Sequence, residues 1–218
     1  MERLFGDEPA ASLWQFEERA RRQGYARIAG IDEAGRGPLA GPVVAAAVIL
    51  PPGVEILGVN DSKQLNEAAR ERLFPQILSQ AIAVGIGCSE APEIDRINIL
   101  QATLQAMQQA VGQIAPAPDY LLIDGISAVP LNIPQKTIKK GDSASISIAA
   151  ASIIAKVTRD RLMVAYDEQY PGYGFAAHKG YGCASHMQAI AELGPCPIHR
   201  ATFRGVREHV TQGPGAGD

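Results

Sequence analysis

Five short, mostly apolar segments constrain the fold of this chain more than any other feature of its sequence. They are rich in Val, Ile, Leu and Ala, and each is bounded by glycine, proline or a polar turn, which is typical of buried β-strands. The segments are 26–33, 42–50, 81–88, 120–124 and 135–139. Strands in this number predict a sheet, and its faces must be covered by other elements.

Five longer stretches repeat apolar residues at intervals of three and four, which is the period of an amphipathic helix. They are a helix ending near residue 24 and helices at 62–79, 92–114, 143–168 and 185–193. We expect Asp61 or Ser62 to cap the second of them, and Pro116 and Pro118 to end the third. The order of strands and helices predicts a layered α/β domain.

The composition indicates one compact unit, because 218 residues with 46% hydrophobic content can bury a sizeable core. We divide the chain into four parts. They are an N-terminal helical segment at 1–24 packed on the domain, an α/β core at 25–170, a C-terminal helical extension at 171–210 and a disordered tail at 211–218.

The same composition limits where the protein works. No apolar run reaches the roughly 18 residues that a membrane-spanning helix needs, and the acidic N-terminus does not resemble a signal peptide. Three scattered cysteines fit a reducing compartment. We therefore expect a cytoplasmic protein without membrane contact. Its net charge of −3 is mildly adverse to nucleic-acid binding, although an acidic site can coexist with a local basic groove.

Four acidic residues share one context, since each lies at the polar end of an apolar segment beside glycine or a turn. They are Asp32, Glu33, Asp124 and Asp142. If the strand ends meet at one edge of the sheet, these carboxylates converge. Clustered carboxylates repel one another unless a cation lies between them. Oxygen ligands without histidine or cysteine favour Mg²⁺ or Mn²⁺, and two such ions about 4 Å apart suit phosphodiester hydrolysis.

Each acid also has an ordinary structural interpretation. Asp142 alone is typical of a helix N-cap, Asp124 before glycine is typical of a turn, and Asp32 with Glu33 could be surface charge. The recurrence of one context at all four positions favours the metal site over these separate explanations.

The segment 30–48, Gly-Ile-Asp-Glu-Ala-Gly-Arg-Gly-Pro-Leu-Ala-Gly-Pro-Val-Val-Ala-Ala-Ala-Val, closely resembles the signature of the ribonuclease HII family. Further family-like blocks follow in family order at 61–65, 123–125, 140–143, 148–160, 178–182 and 199–203. The resemblance implies a ribonuclease H-like fold of a mixed five-stranded sheet, flanking helices and a C-terminal helical extension.

The resemblance also implies the activity. It is hydrolysis, by two metal ions, of the RNA strand of RNA/DNA hybrids and of the bond 5′ to single ribonucleotides in duplex DNA, leaving 3′-hydroxyl and 5′-phosphate ends. The family's metal-binding acids fall on the same four residues. Gly35, Arg36 and Gly37 match the loop that senses the ribose 2′-hydroxyl, and Tyr181 matches the tyrosine at the junction with deoxyribose. On residues alone, the loop would be a phosphate-binding turn and Tyr181 a core tyrosine.

Several basic residues are candidates for a phosphate-facing surface, with Lys63 assigned to substrate binding. The set is Lys63, Lys139, Lys140, Lys179, Arg36, Arg200 and Arg204. Phosphate contacts position a duplex without reading bases, so we expect little sequence specificity. We find no motif for a sliding clamp and expect a monomer.

Three competing hypotheses remain open from the sequence. Cys183, His186, Cys196 and His199 form a C-x₂-H…C-x₂-H pattern that could hold zinc. A non-catalytic nucleic-acid-binding module could use the same fold, although the complete set of acids favours an enzyme. Resolvases and transposases share the fold with another substrate, whereas the loop at 35–37 and Tyr181 favour ribonucleotides.

Overall fold

A mixed five-stranded sheet forms the centre of the computed structural model, which describes residues 12–56, 58 and 65–210. The strands are β1 Ile28–Ala34, β2 Val43–Ile49, β3 Ala83–Ser89, β4 Tyr120–Asp124 and β5 Gln135–Ile138. Their order across the sheet is β3-β2-β1-β4-β5. β2 pairs antiparallel with β1 and β3, whereas β4 pairs parallel with β1 and β5.

The described helices are α1 Gln15–Arg22, α2 Glu67–Gln80, α3 Ala91–Ile97, α4 Ile99–Gly112, α5 Ile146–Gln169, α6 Phe175–His178 and α7 Ala184–Leu193. Short 3₁₀ helices lie at Gly141–Ser143 and Arg207–His209. None of the helices in the described part of the chain is long and apolar enough to cross a bilayer.

Helices cover both faces of the sheet. Along β2, Ala45 and Ala47 belong to the core shared with α4, whereas Ala46 and Val48 belong to the core shared with α2 and α5. This alternation follows from the two-residue period of a strand. The predicted layered α/β architecture, with a mixed five-stranded sheet and helices on both sides, is confirmed.

Gly30 allows α5 to run directly against the centre of the sheet. A Cβ atom built on Gly30 would lie 2.1 Å from the carbonyl carbon of Ser147, a distance that no side chain tolerates. The next residues of β1 that point to this face therefore lie close to α5. Asp32 is two residues along the strand and faces the same way.

The predicted helix at 92–114 is wrong in one respect, because the structure has two helices there. Asn98 separates α3 from α4 with a φ of 71° and a ψ of 162°, a backbone conformation that cannot continue a helix. Its side chain accepts hydrogen bonds from the N–H groups of Leu100 and Gln101 and so caps α4. Apolar spacing continues across the break, and this continuity concealed it.

Two predicted helix starts are also wrong. α2 begins at Glu67, and its cap is Asn66, which accepts from the N–H of Ala69. The predicted caps, Asp61 and Ser62, lie outside the described residues. α5 begins at Ile146 and is capped by Ser145, whose hydroxyl accepts from the N–H of Ile148. The predicted start at 143 instead belongs to the preceding 3₁₀ turn.

The C-terminal part after α5 packs around its own apolar cluster, which includes Met163, Phe175 and Ile198. Backbone hydrogen bonds join it to the loop after β1: the N–H of Leu39 donates to Gly180 O, and the N–H of Gly41 donates to Ile198 O, each at 2.8 Å. The C-terminal part is thereby fixed beside the end of β1. The predicted tail at 211–218 lies outside the described residues.

α1 docks on the domain through a buried carboxylate. Glu17 is fully buried and accepts hydrogen bonds from the Ser145 hydroxyl at 2.6 Å and from the N–H of Ser147 at 3.0 Å. Both donors lie at the N-terminus of α5, where unpaired N–H groups and the helix dipole favour a negative charge.

We expect Glu17→Ala to lower the free energy of unfolding by about 3 kcal/mol, because it removes two charge-assisted hydrogen bonds and leaves their donors buried. Urea denaturation measures the change. Glu18→Ala is the matched control, since Glu18 is exposed on the same helix and its loss should change stability by less than about 0.5 kcal/mol. Equal effects of the two substitutions would contradict this role for Glu17.

Candidate active site

Parallel pairing of β1 with β4 brings two of the predicted acids side by side. The register pairs Ile31 with Ile123, so Asp32 and Asp124 are the next residues on neighbouring strands and point to the same face. β4 ends at Asp124. Glu33 follows Asp32 and, together with these two residues, lines one cavity of about 390 Å³.

The fourth acid belongs to the turn that adjoins Asp124. The N–H of Gly141 donates to Asp124 Oδ1 at 2.6 Å, which fixes the 3₁₀ turn against the end of β4. Asp142 is the next residue and is buried. The structure therefore places three of the predicted acids on one cavity wall and the fourth on the turn hydrogen-bonded to that wall.

Burial and mutual repulsion make the ionised acids unfavourable. Burial, followed by the charges of Glu33 and Asp124, raises the pKa of Asp32 well above its usual value, although a hydrogen bond from Ser152 opposes this. Burial also raises the pKa of Glu33, and Arg36 opposes the rise through an ion pair of 3.3 Å. A cation in this cavity would reverse both shifts, because it stabilises the ionised carboxylates.

The donor chemistry fits a hard divalent ion, since every candidate ligand in the acidic group is a carboxylate oxygen. Within residues 12–56, 58 and 65–210, no three acidic, histidine or cysteine side chains are grouped closely enough to hold an ion as they stand. The acids therefore match a divalent ion in their charge and in the type of donor atom, and not through a preformed coordination geometry.

A basic wall, which the sequence interpretation missed, belongs to the same cavity as the acids. Arg70, Ser152 and Lys156 line it, and the Ser152 hydroxyl bonds Asp32. Ser152 and Lys156 lie one turn apart on α5, where it crosses the carboxyl end of β1. Their i, i+4 spacing on the helix that packs on the sheet is the signal that could have revealed them.

The glycine-rich loop after β1 reaches the same cavity. Gly35 is buried with a φ of 96°, and it lines the cavity together with Tyr181. A Cβ atom on Gly37 would lie 3.9 Å from the Tyr181 ring. The exposed Arg36 lines a neighbouring cleft that shares Glu33 with the first. The loop, Tyr181 and the acids thus form one continuous surface.

The predicted phosphate-facing set is only partly on the surface. Lys139, Lys140 and Arg204 are exposed, whereas Lys63 lies outside the described residues. Lys179 is half-buried, and its Nζ donates to Ala176 O. Arg200 is fully buried, so its assignment to a phosphate-facing surface is wrong.

Comparison with known proteins agrees with this geometry. The family model described as Ribonuclease HII matches residues 29–206. The chain is 70% identical to ribonuclease HII of Geobacter metallireducens, over 95% of this chain and 97% of the relative. It is 72% identical to ribonuclease HII of Geotalea uraniireducens, over 95% and 96%. The crystal structure of ribonuclease H2 from Pyrococcus horikoshii superposes with a TM-score of 0.71 at 27% identity, covering 84% of this chain and 96% of that one.

The chain belongs to the ribonuclease HII family. It is accordingly a divalent-metal-dependent endoribonuclease with a ribonuclease H-like fold that acts on RNA/DNA substrates, as the resemblance implied. Membership decides against the non-catalytic binding module.

Three histidines hold the main chain of Tyr181 in this ribonuclease HII-family enzyme, two through their rings and one through its carbonyl group. His199 Nδ1 accepts from the N–H of Cys196, which leaves its Nε2 to donate to His186 Nε2 at 3.0 Å. His186 Nδ1 then donates to Tyr181 O at 2.9 Å. The N–H of Tyr181 donates to His178 O. These partners assign neutral tautomers to His186 and His199.

The alternative zinc site is wrong for the described residues. Cys183 is exposed, and its sulfur contacts the Ser185 hydroxyl at 3.1 Å. The rings of His186 and His199 are joined to each other by a hydrogen bond, and Cys196 contacts the Nδ1 of His199. Within the described ranges, these four side chains are not grouped closely enough to hold an ion as they stand.

We expect this histidine chain to make stability depend on pH. Burial and the neighbouring His186 lower the pKa of His199 to about 4, whereas an unfolded histidine titrates near about 6.5. The unfolded state therefore binds more protons between these values. The free energy of unfolding should fall as pH drops through this window, by up to roughly 3 kcal/mol from His199.

Urea denaturation at about pH 7.5 and about pH 5 measures this loss. His199→Asn should lose stability at the higher pH but show a smaller further loss on acidification than the unsubstituted chain. His209→Asn is the control and should keep the full pH dependence. A His199→Asn variant with an unchanged difference between the two pH values would contradict the assignment.

Proposed function

We propose that this enzyme cuts the phosphodiester bond on the 5′ side of a ribonucleotide, both singly embedded in duplex DNA and within the RNA strand of hybrids. The products are a 3′-hydroxyl and a 5′-phosphate. One observation carries the proposal: the cavity lined by Asp32, Glu33 and Asp124 is also lined by Gly35 and Tyr181. Hydrolytic groups and candidate sugar-reading groups therefore meet at one place.

The acids Asp32, Glu33, Asp124 and Asp142 are the residues that would hold Mg²⁺ or Mn²⁺ here. When bound, two such ions would supply an activated water and stabilise the leaving 3′-oxygen. The chain's own contribution is to orient the carboxylates: Ser152 donates to Asp32, and the N–H of Gly141 donates to Asp124. Arg36 partly neutralises Glu33 through the ion pair described above.

The loop of Gly35, Arg36 and Gly37 is proposed to read the 2′-hydroxyl, which is the group that distinguishes RNA from DNA. Glycine at 37 leaves space beside Tyr181, so a sugar edge can approach the backbone closely. Tyr181 is half-exposed and presents a ring against which a deoxyribose can pack. This arrangement supports selectivity for a ribonucleotide followed by a deoxyribonucleotide.

The basic wall of the cavity suits the sugar-phosphate backbone. Lys156 lines the cavity, and its ion pair with Asp160 at 2.6 Å fixes the position of its ammonium group. Arg70 lies on the same wall. Lys63, outside the described residues, is proposed to add a phosphate contact. We further propose a cytoplasmic monomer whose affinity for duplexes falls with salt and depends little on base sequence.

The direct test is cleavage of a labelled DNA duplex that carries one ribonucleotide, compared with an all-DNA duplex of the same sequence. We expect cutting at the 5′ side of the ribonucleotide with Mg²⁺ or Mn²⁺ and none with chelator, read as fragment length and end chemistry on a gel. Metal-dependent cutting of the all-DNA duplex at a similar rate would refute the proposed selectivity.

A second prediction tests the acids. Asp32→Asn or Asp124→Asn should lower kcat at least about a thousandfold, because loss of one carboxylate charge weakens the hold on the metal, while the fold is retained. Asp167→Asn is the matched control, near the C-terminal end of α5 and outside the cavity lining, and should retain full activity. Full activity in either active-site variant, at any metal concentration, would refute the metal assignment.

A further inference from the structure

Two arginines are buried directly beneath the loop that follows β1. Arg159 on α5 and Arg200 after α7 are among the largest fully buried side chains in the protein. Neither makes an ion pair within the described ranges. Burying a guanidinium without a carboxylate is costly unless its N–H groups are satisfied in another way, so the groups that satisfy them are informative.

Arg200 donates hydrogen bonds to carbonyl groups of the loop. Its Nη1 donates to Arg36 O at 2.8 Å, its Nη2 donates to Gly35 O, and Nε and Nη2 both donate to Gly41 O. Three carbonyls of one loop therefore converge on a single planar cation. A planar guanidinium with donors on three nitrogens can span them, whereas a lysine ammonium cannot.

Arg159 holds the far side of the same loop. Its Nε donates to Pro42 O at 2.9 Å, its Nη2 to Ala40 O at 3.1 Å and its Nη1 to Lys179 O at 3.0 Å. A Cβ atom on Gly35 would lie 2.0 Å from Arg159 Nε. The guanidinium thus fills the space that only glycine at 35 leaves open.

The inward carbonyls fix the direction of the amides. In a trans peptide the C=O and the following N–H point in opposite directions. Since the carbonyls of Gly35 and Arg36 point inward to Arg200, the N–H groups of Arg36 and Gly37 point outward. Neither N–H has a hydrogen-bond partner in the described part of the chain, and both residues are exposed. The loop therefore presents two outward-pointing donors beside Tyr181 that are unpaired among the described residues.

We propose that Arg200 and Arg159 are positioning residues for ribonucleotide selectivity, which turn the carbonyls of the loop inward and so aim its amides at an oxygen acceptor of the ribose 2′-hydroxyl class. This inference rests on the proposed reading of the 2′-hydroxyl by that loop. The two arginines touch neither the sugar nor the metal, and they act through the backbone alone. The two buried charges also favour an electron-rich group at the outward face.

The test is Arg200→Lys, which keeps the charge but loses the planar fork. We compare kcat/KM on a duplex with one ribonucleotide and on the same duplex with a 2′-fluoro nucleotide, because fluorine is a poor acceptor. The unsubstituted enzyme should prefer the ribonucleotide strongly. Arg200→Lys should reduce that preference at least tenfold. Arg207→Lys, on an exposed arginine of the same C-terminal part, should leave it unchanged.

Two further measurements separate positioning from general loss of structure. Thermal unfolding gives the temperature range in which each variant is folded. Calorimetric titration with Mn²⁺ measures the affinity of the acidic residues for the metal. We expect the affinity of folded Arg200→Lys for Mn²⁺ to stay within about twofold of the unsubstituted enzyme while its sugar preference falls. Arg159→Lys is assayed in the same way and provides the test if Arg200→Lys does not fold.

The outcomes are distinct. If the unsubstituted enzyme cuts at no ribonucleotide or shows no sugar preference, the proposed function fails and this inference falls with it. If it is selective and a folded Arg200→Lys or Arg159→Lys keeps the preference within twofold, the positioning role is overturned. Failure of both variants to fold also overturns it, since the arginines would then be general core residues.

Discussion

The parallel pairing of β1 with β4 is the contact on which the active site depends, because it sets Asp32 and Asp124 level at the carboxyl ends of neighbouring strands. Two close packings hold that edge in place. Gly30 lets α5 lie against β1, and Gly141 ties its 3₁₀ turn to Asp124. The acids thus lie at the ends of two strands whose preceding residues are buried, so that backbone hydrogen bonds and apolar burial resist their displacement.

Much of the architecture could be predicted from the sequence, because strand and helix periods are local properties. All five predicted strands form. The helices predicted at 62–79 and 143–168 also form, but each starts a few residues later than predicted. The acidic residues were also recognisable, since a carboxylate that ends an apolar strand is unusual in itself. Convergence was not recognisable from residues alone: it depends on strand order, and only the family resemblance implied it.

The sequence interpretation missed one local helix break and one set of long-range contacts. Asn98 breaks a helix through its own cap although the apolar period continues, and a period cannot reveal a change in axis. Arg200 seemed a phosphate ligand because an arginine is usually exposed. Its burial follows from carbonyls more than 150 residues earlier in the chain, as its contacts with Gly35, Arg36 and Gly41 show. No local pattern contains that information.

The protein manages buried charge of the two signs differently, and the difference explains the layout of the site. The acids are crowded, and burial raises the pKa of Asp32 and Glu33, so Arg36 and Ser152 compensate their charges only in part. The arginines are compensated by carbonyls that belong to one loop, although burial still lowers the pKa of Arg200 to about 9. Compensation by carbonyls constrains the backbone, because each bond fixes a peptide plane. The loop after β1 is therefore held by its backbone, whereas the acids are held by hydrogen bonds that their side chains accept from Ser152 and the N–H of Gly141, and both kinds of contact keep the cavity preorganised.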